Sequence, residues 1–281
     1  MATLHLGRQI LLHAKSWAPT AKSSGDLFRM QSASLYNNVM LANDLIGLTN
    51  SSVTISKYAL GNNHPSYHSL ERAEAFLSTT DGVNNAVAGV TLWAQLLNGS
   101  MLFKTNESGE FIYANRENED GSVSQHLQRQ SALHITGKVS RLAAKTLGTV
   151  TFLDSVNVIQ LGKHASSVGC KVTSCLNLVA TSCSLTESSI ELYKVIKEKP
   201  ETITDPENPK SPSADFAERS RRLRNCFIAW LGDMVDFVAD ILFTVCAFAP
   251  ALLGPHGILI LAIISLLSYV INLIKDYTKI G

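Results

Sequence analysis

His64 and His68 stand four residues apart and are followed by Glu71 and Glu74. That spacing can place metal-ligand types on one helical face. Pro65 lies between the two histidines, and a helix that starts after it leaves His64 outside. The set therefore reads as a solvated helix start. His164, Cys170, Cys175 and Cys183 form a second group of ligand types. The five cysteines contain no CxxC pair and their number is odd, so neither a metal knuckle nor a disulfide framework is expected. They read as small packing residues on a helix. No GxSxG, P-loop or HExxH occurs. The expectation is a protein that is not an enzyme, with no cofactor, no metal and no small-molecule substrate. Nucleic acid is not an expected partner either. The net charge is +1, and the 7% of aromatic residues are not interleaved with a basic stripe.

One cluster has a partner chemistry of its own. Arg219, Arg221, Arg222 and Arg224 can meet anionic lipid headgroups, each worth about 1 kcal/mol at such a surface. The plainer reading is that they only set topology. They precede a run from Ile241 to Ile274 that carries no formal charge. A span needs about 20 mostly apolar residues, and this run is much longer. Its middle holds Pro250 and then Gly254, Pro255, His256 and Gly257, which is turn chemistry rather than a span centre. Two short arms follow. The second runs from Ile258 to Ile274, about 17 residues and at the lower edge of span length. The first, containing Ile241 and Phe243, is too short unless extended back through Asp233, Asp236 and Asp240. At 100° per residue these three acids fall within roughly 60° and make one acidic stripe that must avoid lipid. The helix either enters along the interface before dipping in, which is the favoured reading, or turns the stripe to a partner helix. Basic residues flank both outer ends, with Lys275 closing the second arm, so both termini are expected on the cytosolic side. The soluble alternative is a buried helical hairpin, as in pore-forming toxins before insertion.

The elements that must position this hairpin read as mostly helix. Charged residues are only 17%, below the roughly 25% usual for soluble domains. Asp26 is a plausible N-cap for a helix carrying Leu27, Met30, Leu35, Val39 and Ile46, weakened at Gly47 and Asn50 and resuming to Leu60. A turn is expected at Gly61–Pro65, a helix from Ser66 to Leu77, and another capped by Asp81. Asn98 to Gly121 reads as a polar loop with a short hairpin around Ser108 and Gly109. From Ser122 to Lys199 no proline occurs, and two long helices are expected, breaking near Gly162 or Gly169. Val172 to Thr186 is uncharged but too polar for a span, hence a core or interface helix. The fold class is all-α: an N-terminal helical bundle-like region plus a C-terminal transmembrane helical hairpin. The division is a disordered leader at 1–25, a helical domain at 26–199, a proline-rich linker at 200–218, and entry helix plus hairpin at 219–281. The leader, free of acids before Asp26, suits a mitochondrial transit peptide as well as an untethered, Ser/Thr-rich leader.

The Ile241–Ile274 layout, with its GPHG turn, resembles the bilobed hydrophobic domain of type III secreted chlamydial inclusion membrane proteins. The wider layout is similar to the class I accessible members of that family. It shares a Ser/Ala/Gly-rich helical N-terminal region, the run HASSVGCKVTSCLNLVATSC (His164 to Cys183), a charged linker, and VADILF (Val238 to Phe243) leading into the hairpin. A C-terminal position departs from the commoner family layout. The resemblance implies an uncleaved secretion signal at the N-terminus and insertion into the membrane of the host vacuole, with both ends in host cytosol. It also implies a non-enzymatic effector role: residues 1 to 225 would recruit a host cytosolic protein or self-associate. The sequons at Asn50, Asn98 and Asn106 would stay unglycosylated. Two other classes remain: a pore-forming or translocator-like protein with an insertable hairpin, and a mitochondrial membrane protein with a cleaved leader.

Overall fold

A computed structural model describes residues 23–117, 123–198 and 212–280. Nearly all of the expected leader and the core of the expected linker lie outside these residues. The described chain is all-α: six α-helices, one two-stranded hairpin and one 3-10 turn. Helix α1 spans Ser24–Leu60 and α2 Tyr67–Leu97. The strands are β1, Tyr113–Glu117, and β2, Val123–Leu127. Helices α3 (Ala132–Ser155), α4 (Lys163–Lys197), α5 (Pro212–Phe248) and α6 (Gly257–Ile280) complete the chain.

Several expected breaks are absent, each for a local reason. Gly47 and Asn50–Ser52 do not interrupt α1. The hydroxyls of Thr49, Ser52 and Ser56 donate to the carbonyls of Leu45, Leu48 and Ser52, each at 2.8 Å, so they close on the helix itself instead of competing with it. The cap of α1 is Ser23, not Asp26: Ser23 Oγ accepts from the Asp26 amide at 3.2 Å and donates to its carboxylate at 2.6 Å. Asp81 caps nothing. It accepts from Asn85 Nδ2 at 2.9 Å, one turn on inside a continuous α2. The glycine beside it, Gly82, lies against the Phe152 ring, where a Cβ would collide. Val123 and Leu127 are in β2, not in a helix; β2 is antiparallel to β1 with Tyr113 opposite Leu127, and α3 starts only at Ala132. The expected linker ends early, because α5 begins at Pro212, a residue whose missing N–H suits a first turn.

The chain divides into two compact units. The first comprises residues 1–37 and 91–131. There Leu92 and Met101 are fully buried. Arg29 Nε donates to the Gly109 carbonyl at 2.7 Å, and its guanidinium lies 4.1 Å from the Phe111 ring centroid. Gly109 has φ +80, and a Cβ there would run into the Asp26 carbonyl.

The second unit comprises residues 38–90 and 132–281. Its helices alternate in direction. Asn84 Nδ2 donates to the Val39 carbonyl at 3.0 Å near one end of the α1–α2 pair, and Thr54 Oγ1 to Glu74 at 2.8 Å near the other. His134 faces Glu187 at 3.6 Å across α3 and α4, where a Cβ on Gly137 would meet Cys183 Cβ at 3.2 Å. Trp230 Nε1 donates to Ser189 Oγ at 3.1 Å across α4 and α5, and Lys275 pairs with Asp233 at 3.0 Å across α5 and α6. Small residues at these crossings let the backbones approach closely.

Candidate membrane-facing surface

Helix α5 carries three of the sequence features on one uninterrupted element: the arginine cluster, the acidic stripe and the first apolar arm. Arg221, Arg222 and Arg224 are exposed and Arg219 is half-buried. Arg222 lies 3.5 Å from Glu198. The acidic stripe turns to partner helices rather than to an interface. Asp233 takes Lys275; Asp236 accepts from Ser268 and from Asn272 Nδ2 at 3.2 Å; Asp240 accepts from Thr181 of α4. The reading that favoured an interfacial entry is replaced by helix-on-helix cover, because α6 and α4 supply the donors that three carboxylates need. On the other side of α5, about 120° round by helical geometry, Phe227, Met234, Val238, Ile241 and Phe248 are exposed.

Helix α6 is arranged in the same sense. Its inward stripe is Ala262, Ser265, Ser268 and Ile271, all buried, with Asn272 beside them. Its outward stripe is Ile258, Ile263, Leu267, Val270 and Ile274; Ile258 is 71% exposed and Leu267 51%. A soluble core hairpin buries isoleucine and shows serine to water. Here both serines of α6 are inside, and Ile258, Ile263 and Ile274 are outside. Between the two helices the chain turns through Pro250–His256, and Gly254 takes φ +65, a conformation open to glycine. His256 at this tip meets Tyr58 at the end of α1, and Tyr269 packs on Gly47, where a Cβ would fall within the ring.

Two helices among the described residues are long and apolar enough to cross a membrane: α6, over Gly257–Tyr277 with mean hydropathy 2.5, and α4, over Lys163–Lys197 with 1.2. The second was expected to be too polar. Thr181 and Ser188 are buried, whereas Val168, Val172 and Val179 are exposed, so two of its polar groups are turned inward while Ser167 and Thr186 are not.

The interior of the second unit holds charges whose places were not foreseen. Asp44 is pushed up to about 7, first by burial and then by the carboxylates of Asp236 and Asp276. Lys145 is pushed down to about 8 by burial, which outweighs Asp81 nearby, and its ammonium bonds to Asn85. Burial also raises Asp81. A lone charge among mostly small and apolar residues was the available signal for Asp44 and Lys145; Asp81, among Thr79, Thr80, Asn84 and Asn85, carried none.

The remaining candidate ligands do not converge. His64 sits in the turn before α2, His68 lies 3.4 Å from Glu71 on an exposed first turn, and no grouping of three metal-ligand side chains occurs among the described residues. All five cysteines are free, Cys170 and Cys175 exposed. No family model, curated protein or solved structure matches the chain.

Proposed function

We propose that the protein is a non-enzymatic, membrane-anchored effector. Its α5–α6 hairpin is the core of the anchor, and the parts of the chain outside the bilayer form a surface that recruits a host cytosolic protein or a second copy. One observation supports the anchor above the others: Ser265 and Ser268 are buried and Asp233, Asp236 and Asp240 half-buried, while Ile258, Ile263, Leu267 and Ile274 are exposed. That inversion has no benefit in water, and in lipid it removes polar groups from hydrocarbon. The arginines at the outer end of α5 and Lys275 near the end of α6 favour one cytosolic side for both ends. The resemblance to chlamydial inclusion membrane proteins supplies the setting, secretion by the bacterium into the vacuole membrane. An epitope-tagged chain expressed in infected cells tests it. Signal at the vacuole rim, reached by antibody after selective permeabilisation of the plasma membrane, is the expected result. Diffuse bacterial or mitochondrial signal refutes it.

A second reading draws on the charged interior. A bundle with Asp44, Asp81, Asp236 and Lys145 inside and apolar residues outside also suits a pore-forming or translocator-like protein with a polar lumen. Dye release from sealed vesicles separates the two. An anchor leaves the dye inside, whereas a pore releases it.

A further inference from the structure

The hairpin reading accounts for α5 and α6 but leaves an apolar groove on their neighbour. Val168, Val172, Leu176 and Val179 of α4 and Phe248 of α5 line a groove of about 370 Å³, at the small end of ligand-site volumes. Phe248 closes the first apolar arm, so the groove is continuous with the outward face of the hairpin. Its one cation, Lys171, holds its ammonium 5.4 Å from the Phe248 ring centroid, and no carboxylate pairs with it among the described residues.

The depth of that cation is fixed by register. Along α5, Arg224 to Phe248 is about 36 Å of helix, close to the roughly 30 Å of a bilayer's hydrocarbon core plus one turn. Lys171 therefore stands at the opposite rim from the arginine cluster. A lysine at such a rim buries its methylenes and keeps its charge at headgroup level. Between Lys163 and Glu187, Lys171 is the only Lys, Arg, Asp or Glu in α4.

We propose that the groove between α4 and α5 takes a phospholipid acyl chain, with Lys171 at the lipid phosphate, so that α4 is a third lipid-facing helix. This rests on the hairpin reading. The test uses the full chain with its five cysteines replaced by serine, reconstituted in phosphatidylcholine vesicles with and without phosphatidylglycerol. A fluorophore is attached at Val179→Cys on α4 or at Ile263→Cys on α6, and quenched with spin-labelled acyl chains or with aqueous iodide. Strong acyl-chain quenching at both sites is expected. Quenching at Ile263→Cys alone, with the α4 probe open to iodide, overturns the groove and leaves the hairpin standing. Quenching at neither site overturns both. Disulfide-linked dimers through Val179→Cys without lipid quenching give the groove to a second copy and overturn the lipid. Lys171→Glu is expected to lower vesicle binding several-fold only when phosphatidylglycerol is present; an unchanged dependence on that lipid overturns the headgroup contact.

Discussion

Replacing Ile263 and Leu267 together by arginine separates a lipid-facing helix from a buried one. Both residues lie on the outward stripe of α6, near the middle of Gly257–Tyr277, with 49% and 51% of their surface exposed. In water a half-exposed position tolerates such a change within about 0.5 kcal/mol. At the centre of a span, an arginine costs about 3 kcal/mol and the lost Ile or Leu about 0.5 more. The pair should therefore lose about 7 kcal/mol of insertion, roughly a 10⁵-fold shift at 1.4 kcal/mol per decade. The assay is carbonate extraction of vesicle-bound full chain, read beside the chemical denaturation midpoint of the same variant. The expected result is release into the supernatant with the midpoint nearly unchanged. Retention in the pellet refutes the assignment of this face to lipid. A collapse of the midpoint refutes it from the other side, because it would make these residues core.

Gly47→Ala should push Tyr269 off α1 and destabilise the second unit by about 1–3 kcal/mol, the usual range for overpacking. Combining it with Tyr269→Ala should give less than the sum of the two losses in a double-mutant cycle, and strict additivity would show the two do not meet. Gly109→Ala should cost the first unit about 3 kcal/mol or more, since it adds a Cβ at positive φ against a backbone carbonyl; protease sensitivity of the 98–131 segment reports it. Asp44 has a folded pKa raised from 3.8 to about 7, so its protonated form favours folding below about pH 4 and that contribution is lost as pH rises through 7. Asp44→Asn should remove this decline, gaining up to about 4 kcal/mol at pH 8 relative to pH 4. A denaturation series over pH 4–8 in which both proteins fall alike contradicts it.

The hairpin was legible because its signal is compositional: a charge-free run broken by Pro250, Gly254 and Pro255 leaves few other folds. The turn at Gly61–Pro65 and the break before Lys163 were legible from glycine and proline alone. What the composition concealed is which way each helix faces. Asp233, Asp236 and Asp240 read as a stripe in sequence, but only the donors on α6 and α4 decide that it points inward. Gly47 looked like a helix breaker, and Gly82 gave no signal at all, while both make contact, with Tyr269 and Phe152, which stand far away in sequence. Val123, Gln125 and Leu127 satisfy a period of two as readily as a drifting helical one, and pairing with Tyr113–Glu117 settles it.

Because α5 runs unbroken from Pro212 to Phe248, it is a rod of about 55 Å at 1.5 Å per residue. Its two ends cannot move independently. A tilt of about 10° pivoting near Asp240 would sweep the Pro212 end sideways by about 7 Å, using the same rise. In the proposed membrane-anchored arrangement, changes in bilayer thickness would thus be transmitted as displacement of the arginine-bearing end of α5.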